Sequence, residues 1–142
     1  MFDTRSNGAR TRPSRDTRSD LSPHLARFGL GAGAIVAVLI AYLTLTPVPD
    51  PGESHIFGLD KLYHLIAFAV LVFPVIATGP HRWIWLVPLA IAFGGAIELI
   101  QPHVGRSAEW MDFLANGVGV GIGVWLGRLV HRRLPARAVA GD

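Results

Sequence analysis

The stretch "AFGGAIELIQPHVGRSAEWMDFLANGVGVG", Ala92–Gly121, is apolar and glycine-rich enough for a lipid bilayer, yet it carries Glu98, Arg106, Glu109 and Asp112. An ionised side chain at mid-bilayer costs about 2.5–3.5 kcal/mol on insertion scales, and less near the surface. Such groups persist where they face a bundle interior or a water-filled cavity. The stretch therefore predicts two membrane helices, joined by a short loop, that turn their carboxylates away from lipid.

The rest of the chain fits that environment. Only 16% of the 142 residues are charged, too few to cover the surface of a soluble domain this size. There is no Cys, which excludes disulfides, thiolate metal sites and a Cys nucleophile. Four apolar runs follow one another: Phe28–Leu45, Leu62–Thr78, Trp83–Ile100 and Trp110–Leu126. The predicted fold class is all-α, a polytopic four-helix membrane bundle with spans at about 28–46, 60–78, 82–100 and 110–128. Residues 1–26 form an Arg-rich tail without apolar period, 27–130 the membrane domain and 131–142 a second basic tail. A cleaved signal peptide is not expected, because no A-x-A site follows the first run.

A net charge of +3 might suggest a nucleic-acid partner, but the placement of the basic residues argues for membrane lipids instead. Eleven of the thirteen Lys and Arg residues fall on one side of the expected bundle: Arg5, Arg10, Arg12, Arg15, Arg18, Arg27, Arg82, Arg128, Arg132, Arg133 and Arg137. Only Lys61 and Arg106 fall on the other, so both termini are expected in the cytoplasm of a bacterial cell.

Helices of alternating direction then place Asp60, Lys61, His64, Glu98, Gln101, Asp112 and Asn116 at a single, outer end. Residues four apart share a helix face, which joins Asp60 to His64 and Asp112 to Asn116. The Asp112/Asn116 face continues through Gly119, Gly123 and Gly127, small residues that let helices approach closely, so it is expected to point inward. On the third helix the Glu98 face continues to Gly94, Ile91 and Val87. The expected cavity has Asp60, Gln101 and Asp112 at its mouth, with His64, Glu98 and Asn116 one turn, about 5 Å, deeper.

In order along the chain stand "TLTP" (Thr44–Pro47), "DKLYH" (Asp60–His64), "IELIQ" (Ile97–Gln101), "GR" (Gly105–Arg106) and "DFLANGVGVGIG" (Asp112–Gly123). This set resembles the VanZ-like family of small integral membrane proteins, whose founding member is linked to resistance to the glycopeptide teicoplanin. The resemblance implies a cell-envelope location and a role near lipid-linked envelope precursors or envelope-active antibiotics. It supplies no reaction.

Three chemistries suit the polar cluster. In a ligand site, Arg106 and Lys61 would hold a phosphate or carboxylate while Asp60, Gln101 and Asn116 hold amines or hydroxyls. In an enzyme acting on a lipid-linked substrate, His64 would be general base, oriented by Asp60, with Glu98 and Asp112 as further acid–base groups. A metal on His64, Glu98 and Asp112 would suit their oxygen and nitrogen donors, but no HExxH-like spacing favours it, and neither a metal nor another cofactor is expected. The bland alternative is a buried polar network fixing helix register, or a structural subunit of a larger complex. The glycines of "GVGVGIG" and "GLGAG" lie inside spans with no strand before them, so they predict helix packing, not a phosphate loop.

Overall fold

The computed structural model describes residues 23–47 and 58–133. The expected tails, apart from their helical edges, and the acidic connection containing Asp50 and Glu53 lie outside the described residues. Among the described residues there are four α-helices: α1 Pro23–Leu45, α2 Leu59–Thr78, α3 Trp83–Ile100 and α4 Trp110–Arg133. A 3-10 turn, Pro80–Arg82, links α2 to α3, and a second, Gln101–Val104, follows α3. All four helical segments are long and apolar enough to cross a membrane. Large side chains face outward along the bundle, among them Phe28, Ile35, Val38, Ile84 and Leu99. In water such an apolar exterior would be a liability.

Two ends extend beyond the apolar runs. α1 starts at Pro23, a residue suited to a first helical turn, and α4 continues to Arg133, with His131, Arg132 and Arg133 in its last turn where cations complement exposed carbonyls. Apolar content alone marks the part of a helix that suits lipid, not the turns that extend from it.

The core is built on α2, whose Phe68, Leu71, Val72, Val75, Ile76 and Ala77 are all buried. Its closest partner is α4. The buried residues of α4 are Asp112, Asn116, Gly119, Val120, Gly123 and Gly127, so the small-residue row does face inward. A Cβ on Gly119 would collide with the Leu65 carbonyl oxygen. One on Gly123 would stand 2.5 Å from the Ala69 carbonyl oxygen, and one on Gly127 2.8 Å from the Ile76 Cβ. The two backbones thus touch along three turns.

α3 is rotated from the expected setting. Its buried row is Leu86, Ala90, Gly94 and Ile97, while Glu98, Ile91 and Val87 lie half-buried beside it. Gly94 accommodates the Phe68 ring and Asn116 amide, which a Cβ there would approach at 3.2 and 3.0 Å. Packing against Phe68 therefore sets the rotation, and the carboxylate follows at the edge. Pro74 interrupts α2; one turn on, the Thr78 hydroxyl donates to the Pro74 carbonyl at 2.8 Å.

At one end of the bundle the cations hold the helices by local contacts. Arg82 donates to the Ala26 carbonyl at 2.9 Å, His131 Nδ1 donates to the Ala77 carbonyl at 3.0 Å, and the Arg128 guanidinium lies 4.9 Å from the Trp83 ring centre.

Glycine packing gives the first prediction. Gly119→Ala is expected to lower stability by about 1–3 kcal/mol, the usual range for overpacking. Gly121, whose Cβ would meet open space, is expected to accept Ala without loss. Thermal unfolding of the purified protein in detergent checks the contrast, and equal midpoints for the two variants would contradict the backbone contact.

Candidate functional site

The opposite end collects the ionisable residues. The first turns of α2 bring Asp60, Lys61 and His64; the end of α3 brings Glu98; the 3-10 turn brings Gln101; the start of α4 brings Asp112 and Asn116. Two positive-φ glycines shape the approach. Gly58, at φ 93°, precedes α2, and Gly105, at φ 77°, closes the turn after α3, where the Arg106 N–H donates to the Gln101 carbonyl at 3.0 Å. Both conformations favour glycine, which carries no Cβ.

Lys61 is the electrostatic hub. Its ammonium lies 2.8 Å from Glu109 Oε2, 3.2 Å from Asp60 Oδ2 and 3.4 Å from Asp112 Oδ1. It was expected to present a cation to an anionic ligand, but in the structure its charge is engaged by these carboxylates. Three carboxylates crowded at one end need such a counter-ion, since burying like charges together without one is expensive.

His64 is buried, and its partners come from α4. Nδ1 donates to Asn116 Oδ1 at 3.0 Å, and Nε2 faces Asp112 Oδ2 at 3.9 Å. The expected Asp60–His64 pairing is therefore replaced. Asp60, one turn before His64 on the same helix, turns to Lys61 instead. The close approach of α2 to α4 puts Asn116 and Asp112 nearer to the imidazole than its own helical neighbour.

Glu98 Oε2 accepts the Glu109 backbone N–H at 3.2 Å, while Oε1 is buried without a hydrogen-bond partner. In the sequence, Glu109 stands out only as one of the charges in the apolar stretch. It instead ties three helices together, through its N–H to Glu98, its side chain to Lys61 and its carbonyl to the Asp112 N–H at 2.9 Å. Its position three residues before Asp112 was the available signal, because that interval puts both acids on one side of a helix start.

The two expected layers are also rearranged. Gln101 is 2% exposed, deeper than the half-buried Glu98, because the helix tightens to 3-10 geometry there and swings the amide toward α1. Gln101 Nε2 reaches the Thr44 carbonyl at 3.5 Å, at the limit of a hydrogen bond, and Oε1 has no partner. Arg106 pairs with neither Asp112 nor Glu109; its Nη1 lies 3.4 Å from the Leu43 carbonyl.

Between α1 and α2 a cavity of about 410 Å3 opens beside this cluster. Asp60, Tyr63, His64, Thr44 and Arg106 line its polar end, and Ile40, Leu43, Ile66, Ala67 and Phe68 the remainder. No family model, curated protein or solved structure matches the chain.

The hub yields a second prediction. Lys61→Met is expected to lower the unfolding midpoint, since Asp60, Glu109 and Asp112 lose their shared cation. The double variant Lys61→Met/Asp112→Asn is expected to recover part of that loss. A double-mutant cycle on thermal midpoints measures the coupling, and strictly additive losses would contradict it.

Proposed function

We propose that the chain is a VanZ-like, multi-pass protein of the bacterial cytoplasmic membrane. Both termini lie in the cytoplasm, and the polar end of the bundle opens to the outer surface. There it binds a lipid-linked or amphiphilic component of the cell envelope, which gives it a link to glycopeptide-type antibiotic resistance. Support for the orientation comes from Arg82, Arg128, Arg132 and Arg133 at one end against Lys61 and Arg106 at the other.

The observation that carries the ligand reading is the composition of the α1–α2 cavity. From Asp60 to Phe68 its lining on α2 changes from charged to apolar over eight residues, about 12 Å of helix. A molecule with a polar or anionic head and an apolar tail matches that gradient, with Arg106 beside the head and Ile66 and Phe68 beside the tail. Arginine suits this place because its planar fork holds phosphate or carboxylate through paired hydrogen bonds.

A second reading has its own observation. The His64–Asp112 approach, with Asn116 fixing the ring, is an acid–base arrangement at the edge of the same cavity, and it suits a small membrane hydrolase or transferase acting on a lipid-linked substrate.

Native mass spectrometry of the protein released from membranes tests the ligand. An amphiphile is expected to copurify and to be retained about tenfold less by Arg106→Lys, which keeps the charge but loses the paired geometry. The unliganded stability of that variant is expected to be unchanged. Ile66→Trp, which fills the apolar part, is expected to reduce retention as well. Destabilisation of the unliganded protein by Arg106→Lys with retention unaltered would assign Arg106 to the scaffold.

Topology has a separate test. A reporter fused after Asp142 is expected to read as cytoplasmic, and a periplasmic signal would reverse the orientation and move the cavity to the inner face.

A further inference from the structure

We infer that His64, Glu98 and Asp112 together bind one divalent transition-metal cation. These three residues come from α2, α3 and α4, and one donor atom from each lies within 4.8 Å of the others. No linear motif can report such a site, since each helix supplies a single ligand. The proposal concerns the cluster itself and needs no ligand in the α1–α2 cavity.

Four observations support it. First, His64 Nδ1 lies 3.0 Å from the Asn116 carbonyl oxygen, and the neutral tautomer that donates to it leaves the Nε2 electron pair for a metal. That pair faces Asp112 Oδ2 at 3.9 Å, too far for a hydrogen bond and with two electron-rich atoms turned toward one space. Metal-bound histidines characteristically donate their second N–H to a fixed acceptor, the part Asn116 plays here.

Second, the donors are buried and incompletely satisfied. The side chains of His64 and Asp112 are 9% and 8% exposed. Glu98 Oε1 is buried with no hydrogen-bond partner, whereas Asp112 Oδ1 is engaged by the Lys61 ammonium at 3.4 Å.

Third, a second acidic group, Asp60, Glu109 and Asp112, also gathers three oxygens within 4.8 Å. Lys61 supplies its cation. Asp112 thus divides its oxygens, Oδ1 toward the lysine and Oδ2 toward His64, and the imidazole side is the one suited to a metal. Fourth, the four carboxylates Asp60, Glu98, Glu109 and Asp112 share this end of the bundle with two cations, Lys61 and Arg106, and a divalent ion offsets the remainder.

An imidazole with two carboxylates suits Zn2+ or Mn2+. Bond lengths of about 2.0–2.2 Å place tetrahedral donors about 3.4 Å apart, so donor pairs now within 4.8 Å must close by at most about 1.4 Å. Side-chain rotation of Glu98, which stands at the edge of the packed row, supplies that movement.

The test is zinc retention by the full-length, tag-free protein. Protein stripped with chelator in detergent is titrated with Zn2+, desalted and analysed by elemental mass spectrometry. One retained equivalent and a raised unfolding midpoint are expected. His64→Asn, Glu98→Gln and Asp112→Asn are each expected to reduce retained zinc at least tenfold, whereas Asp60→Asn and His103→Ala keep one equivalent. Wild-type protein that retains no zinc overturns the site and leaves His64 and Asp112 as a buried polar contact between α2 and α4. Retention undiminished in the Glu98→Gln and His64→Asn variants also overturns it, by placing the ion elsewhere. Should Asp112→Asn fail to fold, the wild-type stoichiometry and the other two variants decide.

Discussion

The contact between α2 and α4 governs the rest of the molecule. Three glycines on α4 sit where any side chain would strike the Leu65 or Ala69 carbonyl or the Ile76 side chain. Removing side chains from that row brings two backbones together and carries Asn116 and Asp112 to within reach of His64 and Lys61. In a bilayer, where apolar side chains gain little by leaving lipid for one another, close approach and interhelical hydrogen bonds do much of the work. The glycine row and the polar pairs are therefore one device: the first sets the distance that the second needs.

That device also explains why the polar residues lie at one end. Glycines occupy the middle and far turns of the α4 face, at 119, 123 and 127, while Asp112 and Asn116 occupy the first two. The charged groups are thus kept from the centre, where burial costs most, and concentrated where Lys61 and the neighbouring turns can reach them. The other end has the opposite chemistry, with Arg82, Arg128 and His131 holding carbonyls and an aromatic ring.

Much of this was legible in the chain. The four apolar runs lie within the four helices, and the spacing 112, 116, 119, 123, 127 marked the buried face of α4 before any coordinates. The common end of Asp60, His64, Glu98 and Asp112 followed from alternating helix direction. Partners were another matter. Helical period tells which residues share a face of one helix, so it joined Asp60 to His64; it is silent on which side chain of a facing helix comes closer, and Asn116 does. Gln101 was misplaced because a 3-10 turn breaks the 3.6-residue period. Glu98 is only half-buried because the rotation of α3 depends on where Phe68 packs. Glu109 stands just before α4, where its three-residue interval to Asp112 was the one periodic signal.

The division of charge between α2 and α4 has a consequence for how the molecule is assembled. α4 follows the other three described helices along the chain and is the least apolar of the four segments. It is also the helix that supplies Asn116 and Asp112, the partners of His64, and it directly follows Glu109, the nearest carboxylate to Lys61. Until it arrives, α2 holds Lys61 and His64 with no α4 groups beside them, and α4 alone would carry Asp112 into lipid. Each is long and apolar enough to span on its own, but carries polar groups at one end that only the other matches. A chain without residues 110–133 would keep Lys61 and His64 on α2 but lack Asn116 and Asp112, so its polar face would be left unmatched.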